Sequence, residues 1–149
     1  MGTFSKKIFN LLPMLLCSFE LLSEAHTVKM LNQGSTGVMV FEPAVLKINV
    51  GDTVTFEATD AAHNSASIPG MLPPNANDWN GQLSRDISVT FDIPGIYGYQ
   101  CTPHAMMAMV GVIQVGDAVN LDAVKAEASQ KKSIFVSNTD RLDEYLSQL

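Results

Sequence analysis

The chain has 149 residues, with 15 acidic and 9 basic side chains and a formal net charge of −6. Hydrophobic residues make up 46% and charged residues 16%, a composition suited to a buried core and too apolar for disorder. The acidic balance excludes non-specific nucleic-acid binding and attraction to anionic lipid, and no apolar run is long enough to span a membrane as a helix.

The first 25 residues read as a signal peptide. Lys6 and Lys7 form a positive start, IFNLLPMLL an apolar centre, and Ser23-Glu24-Ala25 a small-residue cleavage pattern. Export removes Cys17 and leaves Cys101 as the one cysteine of the mature chain. An unpaired thiol in an oxidising compartment is a liability unless it is buried or bound. Loss of Lys6, Lys7, Glu20 and Glu24 leaves the net charge at −6.

Residues 26–117 carry the pattern of an all-β domain. TVKML, GVMVF, AVLKINV, TVTFEAT, DISVTF, IYGYQC and MVGVIQV are short apolar or alternating runs separated by turn residues. Seven to eight such strands predict a β-sandwich. SIPGMLPPNANDWNGQL, residues 67–83, is rich in Pro, Gly and Asn and predicts an irregular loop with one short helical turn near Trp79. Residues 118–149 change character. NLDAVKAEA predicts a helix capped by Asn120. NTDRLDEYLSQL predicts a second, capped by Asn138 or Thr139, with Leu142, Tyr145, Leu146 and Leu149 on one face. The two helices are expected to pack on the sandwich.

The chemistry concentrates in CTPHAMMAM, residues 101–109. His104 lies three residues after Cys101, and Met109 five after His104. His63 arrives from an earlier strand end. Two imidazoles, a thiolate and a thioether describe a blue-copper electron-transfer site, with His₂Cys in a plane and a weak axial Met. Such ligands suit both Cu(II) and Cu(I). They also leave no open position for a substrate, which favours electron transfer over metal-assisted hydrolysis. Met106 and Met107 offer the same thioether, so chemistry alone does not choose the axial ligand. Two other readings compete. A copper chaperone or store would want accessible, exchangeable Cu(I) sites, which the methionines partly suit. A copper oxidase or reductase would need further His ligands, and His26 is the only histidine left. As the first residue after cleavage His26 could chelate copper through its amine and ring, but it has no second free histidine to work with.

The residues from about Thr27 to Leu149 resemble the pseudoazurins, small periplasmic cupredoxins. KMLNQG, MVFEPAVLKINVGDTVTF, the His63-Asn64 pair, the CTPH run with Met109 five residues on, NLDAVK and RLD carry the likeness. The resemblance implies a Greek-key cupredoxin sandwich with two C-terminal helices and one copper ion held by His63, Cys101, His104 and Met109. It implies that Asn64 bonds the Cys101 sulfur through its N–H and the Thr102 region through its side chain. It further implies that Met39 lies beside the His104 ring and that Pro103 limits water there. A docking rim of Met39, Pro103, Ala105, Met106 and Met107 is expected to be exposed. The implied protein is a monomeric periplasmic carrier. Its expected partners, in transient complexes, are nitrite or nitrous oxide reductase and a c-type cytochrome. The chain departs from the pattern at Ala105, where an aromatic is common, and at Ala108, where Gly is usual. It also lacks the usual lysine ring: residues 26–117 hold only Lys29, Lys47 and Arg85 against eight acids.

Overall fold

The computed structural model describes Met1 and residues 22–149, so most of the expected signal peptide (residues 1–25) lies outside the described residues. Its last three residues are engaged with the domain. Ser23 Oγ donates to the Gly51 carbonyl at 2.7 Å, the Glu24 N–H donates to Asp52 Oδ1 at 2.8 Å, and Ala25 opens the first strand opposite Thr53.

Among the described residues eight strands follow: β1 (Ala25–Gly34), β2 (Gly37–Glu42), β3 (Val45–Ile48), β4 (Thr53–Glu57), β5 (Ala66–Ser67), β6 (Ile87–Thr90), β7 (Gly95–Gln100) and β8 (Val110–Val115). They form two four-stranded sheets, ordered β2-β1-β4-β6 and β3-β8-β7-β5. The β1–β4 and β3–β8 pairs are parallel and the others antiparallel. This is the cupredoxin sandwich. Two helices, α1 (Leu121–Lys131) and α2 (Arg141–Leu146), complete the chain. Among the described residues no helix is long and apolar enough to cross a membrane.

Strand alternation decides what each sheet faces. In β4, Val54 and Phe56 are buried, while the Thr53 and Thr55 hydroxyls pair outside with Thr90 and Ser88 at 2.8 and 2.7 Å. The second sheet is covered on both faces. Tyr97, Tyr99, Ile113 and Val115 point into the sandwich, whereas Ile96, Val110 and Val112 point to Val124, Ala128, Leu142, Tyr145 and Leu146 of the helices. That double cover is why GIYGYQ and VGVIQV read as nearly continuous apolar runs. The space for Tyr99 comes from Gly111, where a Cβ would overlap the tyrosine ring. Tyr99 meets Phe41 and Phe56 edge-on at centroid distances of 4.8 and 4.9 Å, contacts worth about 0.5–1.5 kcal/mol each beyond burial.

Two local expectations are corrected. No helical turn forms near Trp79. Its backbone is held extended by Ser67, which takes the Trp79 N–H on Oγ at 3.1 Å and gives its own N–H to the Trp79 carbonyl at 3.0 Å. The indole N–H is taken by Ser65 Oγ at 2.9 Å. The helix caps differ as well. Asn120 stands at the N-cap of α1 but makes no capping bond. Its amide instead accepts from the Ile96 N–H at 2.6 Å and donates to the Ile96 carbonyl at 3.0 Å. It completes β7 below the point where the two-residue β5 stops. Asp140 holds the N-cap position of α2, also without a side-chain cap, and Asn138 donates to the Met107 carbonyl at 3.1 Å.

Candidate metal centre

Cys101 follows β7 directly and is buried, with its N–H on the Met109 carbonyl at 2.9 Å. The chain turns back at once. His104 donates its N–H to the Cys101 carbonyl at 3.2 Å, residues Ala105–Met107 make a 3-10 turn, and Ala108 closes it with φ +55°. Met109 then enters β8 fully buried, in the same cluster as Cys101. The nine-residue loop thus returns Cys101, His104 and Met109 to one end of the sandwich. His63 comes from the β4–β5 connection and is fully buried.

Three ligand atoms converge there. His63 Nδ1 and His104 Nδ1 are 3.1 Å apart, and Cys101 Sγ lies 3.6 Å from the first and 3.3 Å from the second. A point equidistant from all three is about 2 Å from each, close to ordinary metal–nitrogen and metal–sulfur bond lengths. Lone pairs aimed at one point repel unless a cation or a proton sits among them. The donor set, two imidazoles and a thiol with a buried thioether beside them, therefore fits a copper ion.

The surroundings prepare the groups. His63 Nε2 donates to Asn32 Oδ1 at 2.9 Å, which fixes that tautomer and leaves Nδ1 unprotonated toward the centre. Burial, then the neighbouring His104, holds the His63 pKa below the ordinary histidine value, with Asp60 opposing. Burial pushes the Cys101 thiol up, and the N–H groups of Asn64 and His104 act against that shift. Asn64 is a bracket between the two ligand-bearing segments. Its Oδ1 accepts from the Thr102 N–H at 2.8 Å, and its Nδ2 reaches Thr102 Oγ1 at 3.2 Å and the Gly81 carbonyl at 3.0 Å.

The rim is apolar but differs from the expected one. Pro103 is exposed and Met106 is 56% exposed, while Met107, Met39 and the His104 ring are half-buried. Ala105, expected on the rim, is only 8% exposed because the 3-10 turn folds it inward. Val136, 69% exposed, donates its N–H to the Met106 carbonyl at 2.8 Å and extends the surface toward the C-terminal segment. The Met39 side chain packs against the cluster that holds Cys101 and Met109.

Sequence spacing did not reveal Asn32, Val136 or Arg141 as neighbours of the centre. Asn32 lies inside KMLNQG and Arg141 inside RLD, both within the resemblance, but nothing local shows what they touch. His26 stands apart from the other two histidines: its Nε2 meets Asp52 Oδ2 at 3.0 Å. Asp52 also accepts from the N–H groups of Glu24 and Asn49 at 2.8 and 2.9 Å. Both its oxygens are occupied, so the Glu24–His26–Asp52 group ties β1 to the turn before β4.

A His–Cys–His centre, buried but for the half-buried His104, at one end of a Greek-key sandwich defines a copper-binding protein of the cupredoxin class. The profile described as copper binding proteins, plastocyanin/azurin family, matches residues 28–116. The chain is 42% identical to a pseudoazurin of Paracoccus pantotrophus over 125 residues, 83% of either chain. It superposes on the pseudoazurin of Methylobacterium extorquens AM1 with a TM-score of 0.74, at 38% identity, covering 83% of this chain and 98% of that one. It also superposes on a Sinorhizobium pseudoazurin with a TM-score of 0.67, at 45% identity, covering 74% and 94%. The chain belongs to the plastocyanin/azurin family of copper-binding proteins, within its pseudoazurin branch.

Proposed function

We propose that the chain is a periplasmic blue-copper electron carrier in which His63, Cys101, His104 and Met109 hold one copper ion. The observation that carries this reading is the convergence of His63 Nδ1, Cys101 Sγ and His104 Nδ1 within 3.6 Å of one another, under a partly exposed histidine. Copper bound there supplies the Cu(II)/Cu(I) couple. The chain's own groups do the rest. Asn32 orients His63, and Asn64 locks Thr102 against the segment that carries His63. Met109 is the one loop methionine that is fully buried beside Cys101; Met106 faces solvent and Met107 is half-buried. Ligands held in place by such bonds need not rearrange when an electron arrives or leaves.

His104 is the exit for the electron. Its Nδ1 faces the centre, its ring reaches the apolar rim, and its Nε2 makes no hydrogen bond among the described residues. Pro103, Met106, Met107, Met39 and Val136 form the docking surface, with Ala105 beneath it. An apolar patch of this kind suits a small, weak and transient redox contact. The partners in this reading are a nitrite or nitrous oxide reductase and a c-type cytochrome, met by a monomer. The few basic residues, Lys29, Lys47 and Arg85 in residues 26–117, point to a contact driven by apolar surface more than by attraction to an acidic partner.

The visible spectrum of the copper-loaded mature protein tests the reading. An intense thiolate band near roughly 600 nm that bleaches on reduction and returns on oxidation is expected of a His₂Cys site. Tight copper binding without colour would move the assignment to Cu(I) handling, and the rate of copper loss would then be measured.

A further inference from the structure

The first residue of α2 is an arginine with an unusual environment. Arg141 is only 7% exposed. Neither of the two ion pairs found among the described residues involves it. Its guanidinium is satisfied by backbone carbonyls: Nη1 donates to Met39 O at 2.9 Å and to Ala108 O at 3.0 Å, and Nη2 to Val38 O at 3.3 Å. A buried cation is costly unless hydrogen-bonded, and three oxygens meet that need here.

The identity of those carbonyls matters. Ala108 immediately precedes Met109, and Met39 packs on the cluster that contains Met109 and Cys101. Both are left-handed non-glycine residues, with φ of +55° and +49°. Such conformations persist where the surroundings over-determine them. Nη1 holds both carbonyls and so couples the end of the ligand loop to β2, while the planar guanidinium fixes its direction by placing Nη2 on Val38 O.

We propose that Arg141 is a positioning residue of the copper centre: it fixes the Ala108–Met109 backbone against Met39, and its unpaired charge favours the reduced ion. The proposal rests on the blue-copper reading above. The electrostatic half follows from sign alone. Gaining an electron lowers the positive charge of the centre by one unit, and a fixed neighbouring cation in a poorly screened interior stabilises that change. The geometric half follows from the fork. Lysine keeps the charge and could reach the same carbonyls, but its ammonium turns on a flexible stem and lacks the planar guanidinium that aims Nη1 at Ala108 and Met39.

Arg141→Gln and Arg141→Lys, prepared with copper and without, separate the two halves. In Arg141→Gln the blue band should persist while the Cu(I)/Cu(II) equilibrium moves about tenfold toward Cu(II), a fall of 59 mV for one electron. Arg141→Lys should recover most of that potential. It should still lose copper severalfold faster than wild type, and amide exchange at Met107 to Met109 in the copper-free protein should quicken about tenfold. A wild-type potential in Arg141→Gln, with only its melting temperature lowered, would overturn the electrostatic half. Wild-type copper loss and amide exchange in Arg141→Lys would overturn the geometric half. Should the glutamine variant not fold, the lysine variant decides by copper loss and exchange. A wild-type protein that never turns blue would fail the carrier reading itself and take this proposal with it; a blue wild type with unaltered variants would overturn the Arg141 role alone.

Discussion

Asn64 and Thr102 are bound to each other twice, through Thr102 N–H to Asn64 Oδ1 at 2.8 Å and Asn64 Nδ2 to Thr102 Oγ1 at 3.2 Å. They are 38 residues apart, and each is the chain neighbour of a proposed copper ligand, His63 and Cys101. The pair therefore sets the spacing between the two halves of the centre. Asn64→Leu removes both bonds and leaves the Thr102 N–H without its partner. Bonds of this kind contribute about 10–100-fold to metal affinity, so copper loss to a chelator should quicken by that order. Unchanged loss would mean that packing alone fixes the spacing.

The ligand roles predict opposite results for two substitutions. Cys101→Ala removes the only thiolate donor among the described residues and should abolish the intense visible band. Met109→Gln should keep copper and colour but lower the potential, because a harder oxygen donor favours Cu(II). Voltammetry and absorption read both. A band that survives in Cys101→Ala would sink the assignment of that residue.

Asn120 completes β7 by bonding both the N–H and the carbonyl of Ile96, a fully buried residue. Asn120→Ala strands both groups away from water. An unsatisfied buried group costs about 1–3 kcal/mol, so with two such groups a loss of about 2–6 kcal/mol is expected in urea unfolding. A loss near 0.5 kcal/mol, at the low end of the roughly 0.5–2 kcal/mol range for a missing N-cap, would mean that Asn120 acts as a cap after all.

Asp52 gives the fold an acid-sensitive point. In the uncleaved chain the Glu24 N–H, then the His26 side chain, and also the Asn49 N–H hold its carboxyl below the usual value of 3.8, against the opposing effect of burial. The folded state therefore binds this proton less readily than the unfolded chain. The stabilisation is complete above pH 3.8 and is lost as the pH falls through the lower folded value. Asp52→Asn should lower the urea midpoint at pH 7 and approach wild type as the pH falls below the lowered folded value. An equal gap in both ranges would assign the effect to packing.

Ala108 occupies a left-handed position and is fully buried. Glycine would relieve about 1 kcal/mol of backbone strain. It would also forfeit a buried methyl, about 0.8 kcal/mol, and add about 0.4–1 kcal/mol of unfolded-state entropy. These terms nearly cancel, so Ala108→Gly should change stability by less than about 1 kcal/mol on these scales. A clear gain in the melting temperature would show that the strain is larger and bears on the loop.

The sequence alone determined the sandwich and the loop that offers Cys101, His104 and a methionine, because both are written in short-range pattern. Alternation places Val54 and Phe56 on one face of β4 without knowledge of their partners, and Cys101, His104 and Met109 lie within one turn of chain. Its misreadings came where a side chain's surroundings were set by distant contacts or by the local turn. Asn120 has the residue type of a cap, yet it bonds a strand 24 residues away. Ala105 looks like a surface loop residue, yet a 3-10 turn buries it. Only the tertiary structure decided which groups stand behind the ligands. Asn32 reaches His63 across 31 residues, and Arg141 reaches Met39 across 102. Local sequence constrains backbone direction and burial, but a hydrogen bond across the fold depends on where both sheets and the C-terminal helix come to rest.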